Sequence, residues 1–451
     1  MPWPRRELQS ARGLRCTPLH AAHTAAGAVF GQKFGWERVN YFVPPDLACG
    51  TEAARNAAAV PTIASPPNWL EHARREHLHT RLHVSLFDLS SFAKILVQGT
   101  HAKALLDKLC CANLAMEVVG APQGIAQASR VVYTGMLNEH SGGYEGDVTV
   151  SRIGPESYLV VSPTAQATRD ADHIRRHVGA ADDVRITDVS GAYSVLALMG
   201  PRSRELLQRL TTSALDDASF PFGTSQCLFV GHVAVRANRV TYVGELGYEL
   251  YVPPDGALAL YNALHSAAKG TWREIGQGSE SGMGHDQPSG PHIALCDAGY
   301  YAVDTLRLEA GYRAWGHELG VHDTPLEAGL AFTVDWSKPF LGKEKLLKMR
   351  TAGFTQRLIC FHVAATDLPL WGSEPIVRDG VTVGNVTSAG YAHSVGGQVA
   401  LGYVSHPDAS KTGFVKTGVY HINVGCTLLP AVASLKPLVD PKRRVQGDYS
   451  K

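Results

Sequence analysis

The sequence lacks an excess of charge of either sign. Its 42 Lys and Arg residues balance 41 Asp and Glu residues, which leaves a formal net charge of +1. Proteins that bind nucleic acid or an acidic membrane through their overall charge carry a clear basic excess. We therefore expect neither nucleic acid nor a membrane as a partner. The chain also has no apolar run as long as the about 20 residues that a helix needs to cross a bilayer.

The cysteines and histidines do not form a recognisable metal or redox motif. The eight cysteines include no C-x-x-C pair, and the adjacent Cys110 and Cys111 suit neither a zinc knuckle nor a redox dithiol. We expect all of them to be reduced thiols. His72, His77, His79 and His83 lie in or just after a predicted helix, and His79 and His83 are four residues apart, but no Cys or carboxylate nearby completes a ligand set. We predict that these histidines form a solvated face and that the chain has no metal site.

The common catalytic sequence signatures are absent as well. The chain has no G-x-S-x-G, no H-E-x-x-H, no Walker loop and no dinucleotide fingerprint after a predicted strand. Without a dinucleotide fingerprint, we do not expect FAD in this chain or the oxidation of an amine by it.

The 451 residues are enough for two or three domains, and 45% of them are hydrophobic. Residues 1–68 are rich in Pro, Ala and Gly and end in a stretch typical of a linker. Residues 69–350 alternate short strands and helices with hairpins between them, which favours an α+β fold over a doubly wound parallel sheet. Residues 355–445 consist of short strands separated by turns, which indicates an all-β barrel. A D-G turn at Asp379-Gly380 predicts a hairpin within it.

Two polar stretches, 121–130 and 271–295, interrupt the predicted elements. A structureless loop as long as the second one is unusual inside a compact domain. Each stretch is either retained or mispredicted coding sequence, or a surface insertion that the fold tolerates at little thermodynamic cost.

Three polar features stand out by position. Asp147 lies at the start of a predicted strand beside Gly142 and Gly143, which permit close approach of a ligand or of another backbone. The alternative is a turn carboxylate that caps local N–H groups. Tyr242 and Glu249 are separated by a Gly-containing turn and could face each other. A carboxylate there can accept two parallel N–H bonds, as a pterin edge would donate, although an exposed turn acid beside a half-buried tyrosine explains the pattern too.

The third feature is the segment YAVDTLRLEAGYRAWG, residues 301–316. We predict that Leu306 and Leu308 pack in the core while Arg307 and Glu309 point outward. A structural corner between a helix and a strand is the favoured interpretation of this segment.

Several motifs taken together resemble the folate-binding aminomethyltransferase fold of the glycine-cleavage T-protein. They are LFDLSSFAK, TGMLNEHSGGYEGDVTVSR, MGPRSRELL, YVGELGYELYVP, AGYYAVDTLRLEAGYRAWG, TPLEAGLAF and FLGKEKLL, and EPIVRDGVTVGNVTSAGY is similar to the C-terminal barrel of that family. LRCTPLH and GAVFGQKFGWERVNYF resemble the segment that precedes this fold in the sarcosine and dimethylglycine dehydrogenase group. Within that group, SSFAK, YFVPPD and AVASLKPLVDPKRR are most similar to the regulatory subunit of pyruvate dehydrogenase phosphatase.

The resemblance implies a folate site and its residues. Asp147 matches the family's carboxylate beside the reactive folate nitrogen, and Tyr242 and Glu249 match the folate-binding pair, so tetrahydrofolate is the expected cofactor. The T-protein proper has an arginine where Val303 stands, which argues against T-protein catalysis.

The same resemblance implies a context for the chain. We expect a protein of the mitochondrial matrix with the phosphatase catalytic subunit as partner, and residues 1–68 as the remnant of a segment that links a missing FAD domain. Three functions remain open: a regulator without catalysis, the one-carbon-transfer half of a sarcosine or dimethylglycine dehydrogenase, and a scaffold with an empty channel.

Overall fold

The computed structural model describes residues 10, 12–43, 69–115, 128–268 and 293–440. Most of the two polar stretches singled out above, 121–127 and 271–292, lies outside the described residues. Their interpretation therefore stays a prediction.

Most strands of the first 300 residues join one curved sheet. The order across this eleven-stranded sheet is β13-β3-β9-β12-β11-β10-β5-β6-β7-β4-β8, and every neighbouring pair except β13-β3 is antiparallel. The strands of the protein are β1 Ala28–Lys33, β2 Trp36–Phe42, β3 Val84–Asp88, β4 Ala93–Gln98, β5 Ser129–Leu137, β6 Tyr144–Gly154, β7 Ser157–Ser162, β8 Arg185–Asp188, β9 Ser194–Met199, β10 Thr224–Val230, β11 Val233–Arg239, β12 Gly247–Val252, β13 Leu295–Asp297, β14 Gln356–Val363, β15 Pro375–Arg378, β16 Val381–Tyr391, β17 Gln398–Ser405, β18 Tyr420–Val424 and β19 Thr427–Ser434.

Helices pack against the sheet, the N-terminal hairpin and the barrel. They are α1 His20–Ala25, α2 Leu70–Leu82, α3 Ala102–Leu109, α4 Ala167–Arg176, α5 Ser203–Gln208, α6 Ala257–Ala267, α7 Tyr300–Glu309, α8 Lys343–Ala352 and α9 Thr412–Thr417. No helix in the described part of the chain is long and apolar enough to cross a membrane.

The sheet has two halves that meet at a short seam. Strands β10 and β5 pair over only two residue pairs, Thr224 with Arg130 and Ser225 with Ser129. Each half has a hydrophobic core of its own on its outer side, one built around Leu198 and Leu250 and the other around Val148 and Val150. The seam lets the sheet bend, so that the inner sides of the two halves face each other.

The C-terminal part is a closed barrel of strands β14-β17-β16-β15-β18-β19. Its interior is filled by apolar side chains such as Phe361, Ile376 and Ile422. Strands β15 and β16 are joined by Asp379 and Gly380, both with positive φ, as a tight hairpin turn requires. The α+β fold, the barrel and this hairpin are thus confirmed.

Residues 12–43 pack against the main body of the fold. Hairpin β1–β2 contributes Val29 and Tyr41 to a small core with Tyr301 of α7. The buried carboxylate of Glu76 accepts hydrogen bonds from the backbone N–H groups of Phe42 and Gly299, at 2.6 and 2.8 Å. Burial raises the pKa of Glu76 to about 8. The division of the chain at residue 69 remains a prediction.

The predicted orientation of helix α7 is wrong. Arg307 and Glu309 were expected to point outward, but they are 1% and 0% exposed. Helix α7 lies between α2 and the barrel strands β16 and β17, which cover the sides of the helix that carry Arg307 and Glu309. Both charges are buried because each has an opposite charge beside it, Glu318 for Arg307 and Arg81 for Glu309.

The predicted solvated histidine face of α2 is wrong for the same reason. His77, His79 and His83 are 0%, 1% and 8% exposed. His77 contacts Thr305 and Glu309 of α7, and His79 contacts the backbone carbonyl of Val84. Burial lowers the pKa of both rings, so that they are held in the neutral form as hydrogen-bonding core residues.

Candidate functional site

The two halves of the sheet face each other across a shared apolar cluster. Phe87, Val195 and Tyr251 come from one half and Leu159 from the other. Half-buried aromatic side chains, including Tyr242 and Tyr300, pack at the border of the cluster. We call the space that these side chains border the central cleft.

Asp147 faces the central cleft. Its neighbours Val148 and Val150 belong to the core behind the sheet, so alternation along β6 turns Asp147 to the opposite side. Burial raises the pKa of Asp147 to about 7, yet its side chain is only half-buried. This combination is typical of a group that lines an internal cleft. Its Oδ1 atom has no hydrogen-bond partner within the part of the chain that the structure describes.

Tyrosines surround the Asp147 carboxyl group. Tyr133 lies on the paired strand β5, on the same face as Asp147, and its hydroxyl lowers the pKa of the acid. Burial raises the pKa of Tyr133, Tyr144 and Tyr242 alike, and the charge of Asp147 adds to each increase. The aspartate therefore lies near three phenols that remain protonated.

Tyr242 lies in the connection between β11 and β12. Its hydroxyl donates a hydrogen bond of 2.8 Å to the backbone oxygen of Arg313. Its ring stacks on that of Tyr312, with centroids 5.8 Å apart. The ring is thus fixed in place, and its half-buried face is available to another flat group.

Glu249 lies on β12, at a different part of the cleft. It stands opposite Ala197 and Asn238, and the hydroxyl of Tyr251 donates to its Oε2 atom at 2.8 Å. Burial raises the pKa of Glu249, while the charge of Lys94 lowers it. The Oδ1 atom of Asn238, as assigned, is buried and makes no hydrogen bond to any described residue.

Lys94 is the cation whose charge lowers the pKa of Glu249. It is 0% exposed, on the inner face of β4, and its ammonium group donates to the backbone oxygen of Ser90 at 2.8 Å. Ser90 in turn accepts from the N–H of Val195, which pairs with Tyr251. Burial lowers the pKa of Lys94 to about 8, so that the amine still carries its charge at neutral pH.

The three residues singled out in the sequence therefore border one cleft but form two groups. Asp147 and Tyr242 are close enough to influence each other's charge, whereas Glu249 is grouped with Lys94 and Tyr251. No hydrogen bond joins any two of the three within the described ranges.

Sequence reasoning missed several cleft residues. The hairpin pairing could have indicated Tyr133, because it lies on the same face as Asp147. No sequence pattern identifies Lys94 or Asn238, because a single polar residue in an apolar strand does not show which face of the strand lines a cleft.

The polar atoms of the cleft fit a flat ligand rich in N–H groups. Asp147 and Asn238 each present an acceptor that has no hydrogen-bond partner among the described residues, and Glu249 adds a carboxylate. A pterin carries a row of N–H donors on one edge and would satisfy such acceptors. No group of three or more His, Cys, Asp or Glu side chains in the described residues could hold a metal ion.

A curved α+β sheet with an internal polar cleft, followed by a closed barrel, defines the class of this protein. Residues 19–281 and 288–338 match the family model described as the GCVT N-terminal domain. Residues 356–440 match the glycine cleavage T-protein C-terminal barrel domain. The chain belongs to the glycine cleavage T-protein family.

Curated relatives include larger proteins. The chain is 32% identical to 4-methylaminobutanoate oxidase (formaldehyde-forming) of Paenarthrobacter nicotinovorans and 33% identical to human mitochondrial sarcosine dehydrogenase, over 99% of this chain and 49% of each relative. It is 30% identical to the mouse mitochondrial pyruvate dehydrogenase phosphatase regulatory subunit, over 96% of this chain and 47% of the relative. The chain thus spans about half the length of these relatives.

A solved structure has the same fold. The crystal structure of the glycine cleavage system aminomethyltransferase T from Bartonella henselae superposes with a TM-score of 0.68 at 23% identity, covering 95% of this chain and 99% of that one. This likeness confirms the predicted fold, including the barrel.

Proposed function

We propose that the chain binds tetrahydrofolate in the central cleft, with Glu249 and Tyr242 holding the pterin and Asp147 beside the reacting nitrogen. The observation that carries this proposal is that Asp147 and Glu249 point to the inner side of the sheet, where Tyr242 borders the apolar cluster, and that Oδ1 of Asp147 accepts no hydrogen bond from any described residue. Membership of the glycine cleavage T-protein family supports it.

The residues of the cleft would have separate roles in catalysis and binding. Tetrahydrofolate, when bound, supplies a nucleophilic nitrogen that accepts a one-carbon unit. Asp147 has a pKa of about 7, so at neutral pH a large fraction of it is ionised and can accept the proton that this nitrogen loses. A base whose pKa lies near the working pH contributes about 10²–10⁴-fold to such a step.

Binding would rest on Glu249 and the ring of Tyr242. Glu249 accepts from paired N–H groups only as a carboxylate, and the ammonium group of Lys94 favours that form. Tyr242 is already fixed by its hydrogen bond to Arg313 and by Tyr312, so that it loses little freedom when a ring stacks on it.

Two roles for the folate site follow from the relatives. One is the one-carbon-transfer half of a sarcosine or dimethylglycine dehydrogenase, because the relatives include sarcosine dehydrogenase and an oxidase named as formaldehyde-forming. In this role the chain would transfer the one-carbon unit that an amine-oxidising partner releases.

The other role is regulatory. Relatedness to the phosphatase regulatory subunit suggests that the chain acts in the mitochondrial matrix on a pyruvate dehydrogenase phosphatase catalytic subunit, without catalysis of its own. Val303 places an apolar side chain, 8% exposed, in the cluster beside the cleft where the T-protein proper has arginine. This weakens the case for T-protein catalysis and leaves both the regulatory role and the dehydrogenase-type role open.

Titration calorimetry with tetrahydrofolate tests the binding proposal. We expect the wild-type chain to bind and Glu249→Gln to bind at least tenfold more weakly, because a neutral amide accepts less strongly than a carboxylate. Glu205→Gln is the matched control, since Glu205 is an exposed acid that pairs with Arg202 outside the cleft. Equal affinities for wild type and Glu249→Gln would remove Glu249 from the site.

The two roles are separated by catalysis and by partner. The transfer role predicts that the chain accelerates condensation of formaldehyde with tetrahydrofolate, and that Asp147→Asn abolishes the acceleration. The regulatory role predicts binding without acceleration, together with co-purification of a pyruvate dehydrogenase phosphatase catalytic subunit.

A further inference from the structure

A second carboxyl group lies against the strand that carries Asp147. Asp170, on helix α4, is 0% exposed, and neither of its carboxyl oxygens has a hydrogen-bond partner within the described part of the chain. A buried carboxyl group without partners is unusual, because it gives up its hydration without compensation. Its position therefore calls for an explanation beyond packing.

Gly146 allows the close approach of Asp170 to the strand. A Cβ atom at position 146 would lie 3.2 Å from Oδ1 of Asp170, so any side chain there would press on the carboxyl group. Gly146 precedes Asp147 directly. Since neighbouring residues of a strand face opposite sides, Asp147 faces the central cleft and Asp170 lies behind the same strand.

No cation among the described residues forms an ion pair with Asp170. On its own helix, Arg169 lowers its pKa, but this guanidinium group forms an ion pair with Glu145 of β6. From the end of β7, the hydroxyl of Ser162 also lowers the pKa, although its own oxygen has no partner of good geometry in the described ranges.

Burial outweighs these effects and raises the pKa of Asp170 to about 7, and the negative charges of Asp147 and Glu145 add to the increase. Burial also raises the pKa of Asp147 to about 7, and the hydroxyl of Tyr133 opposes this increase. Because both groups titrate over the same range, a charge on one of them shifts the pKa of the other within that range.

We propose that Asp147 and Asp170 form one electrostatically coupled carboxyl pair across β6, in which Asp170 is a positioning residue that controls the charge state of Asp147. Ionisation of either group disfavours ionisation of the other, because the interaction is mutual. The pair therefore releases its two protons in separate steps. If Asp147 is the base of the proposed function, the charge of Asp170 adds to the effect of burial, which already makes Asp147 able to accept a proton at neutral pH.

The test is a titration of the full-length chain without ligand. NMR spectra of protein labelled at the aspartate carboxyl carbon would follow both groups between about pH 5 and pH 9. We expect two steps for the pair in the wild type and a single step in Asp170→Asn, in which the pKa of Asp147 falls by about 0.5–1 unit because the repulsion is gone. Asp147→Asn identifies the signal of each group and should leave Asp170 with a single step.

Asp172→Asn is the matched control. Asp172 lies on the same helix but points outward, with a side chain 47% exposed and paired with Arg176. This variant should leave both steps in place. An Asp147 titration that is the same in wild type and Asp170→Asn would overturn the proposal. Asparagine has nearly the same shape as aspartate and no charge to bury, so the variant should fold, and its thermal unfolding confirms this.

A second measurement links the carboxyl pair to the proposed function. Only the catalytic consequence of the pair depends on that function; the pair itself does not. If the chain accelerates one-carbon transfer to tetrahydrofolate, the acid limb of its pH profile should move to lower pH by the same 0.5–1 unit or so in Asp170→Asn. A chain that binds no tetrahydrofolate refutes the proposed function but leaves the NMR titration, and with it the carboxyl pair, to be judged separately.

Discussion

Arg307 donates a hydrogen bond of 2.8 Å to Glu318, and both side chains are almost completely excluded from solvent. The same two residues reach the barrel: Arg307 donates to Ser388 at 2.9 Å, and Glu318 accepts from Thr387 at 2.7 Å. A buried ion pair thus fixes helix α7 to the barrel. The pair explains why the charge of Arg307 can be buried although the sequence pattern predicts that it points to solvent.

Removal of one partner of this pair should be costly. We expect Arg307→Met to lower the free energy of unfolding by about 3–5 kcal/mol, because Glu318 would remain as an unpaired buried charge. Urea unfolding measures the effect. The double variant Arg307→Met with Glu318→Leu should recover a large part of the loss. For comparison, Arg176→Met breaks a pair that is 75% and 47% exposed and should cost less than about 1 kcal/mol.

The interface at Glu309 should be sensitive to acid. Burial raises the pKa of Glu309, but the hydrogen bond from His77, the charge of Arg81 and the backbone N–H of Ser394 overcome this effect and lower the pKa to about 2 from 4.5. Ionised Glu309 therefore stabilises the fold above about pH 4.5, and this contribution is lost as the pH falls toward 2. Glu309→Gln should be less stable than wild type by on the order of 2–3 kcal/mol at pH 7.

The difference between Glu309→Gln and wild type should shrink as the pH falls to about 2.5. Chemical unfolding at a series of pH values provides the measurement. Glu71→Gln serves as control, since Glu71 is 74% exposed and should show no such dependence. A gap that is independent of pH would mean that Glu309 contributes by packing rather than by charge.

The N-terminal hairpin should depend on Gly299. This residue has a φ of −108°, which any residue can adopt, but a Cβ atom there would clash with the backbone carbonyl group of Asn40 in β2. Gly299→Ala should therefore displace the hairpin, cost about 1–3 kcal/mol and speed hydrogen exchange in residues 28–42. Gly191→Ala, where nothing lies within 4 Å of the added atom, should change neither quantity.

Lys94 should set the pH range of folate binding. Its charge lowers the pKa of Glu249 against the effect of burial. In Lys94→Met that support is lost, the pKa of Glu249 rises, and binding that needs the carboxylate should require a higher pH. Calorimetry from about pH 5 to pH 8 would follow the midpoint. Lys94→Arg keeps the positive charge, so its binding midpoint should stay near that of the wild type. An unchanged midpoint in Lys94→Met would show that Lys94 does not set the charge state of Glu249.

The candidate site could be predicted in part from the sequence. Asp147, Tyr242 and Glu249 were identified from glycine-rich hairpins and from resemblance, and each of them borders the central cleft. Their roles remain predictions. Asp170 could not be found in this way, because a single acid on the polar side of a helix gives no sign that the helix will press it against Gly146.

Local sequence determined the elements: alternating strands, the Asp379-Gly380 turn and the all-β C-terminal part follow from side-chain period and backbone freedom, which act over a few residues. Only the tertiary structure decided which charges are buried. His77, Arg307 and Glu309 are enclosed because α2, α7 and the barrel meet around them, and each charge is tolerated through a partner distant in sequence. Burial depends on how whole elements pack together, and no pattern within one element contains that information.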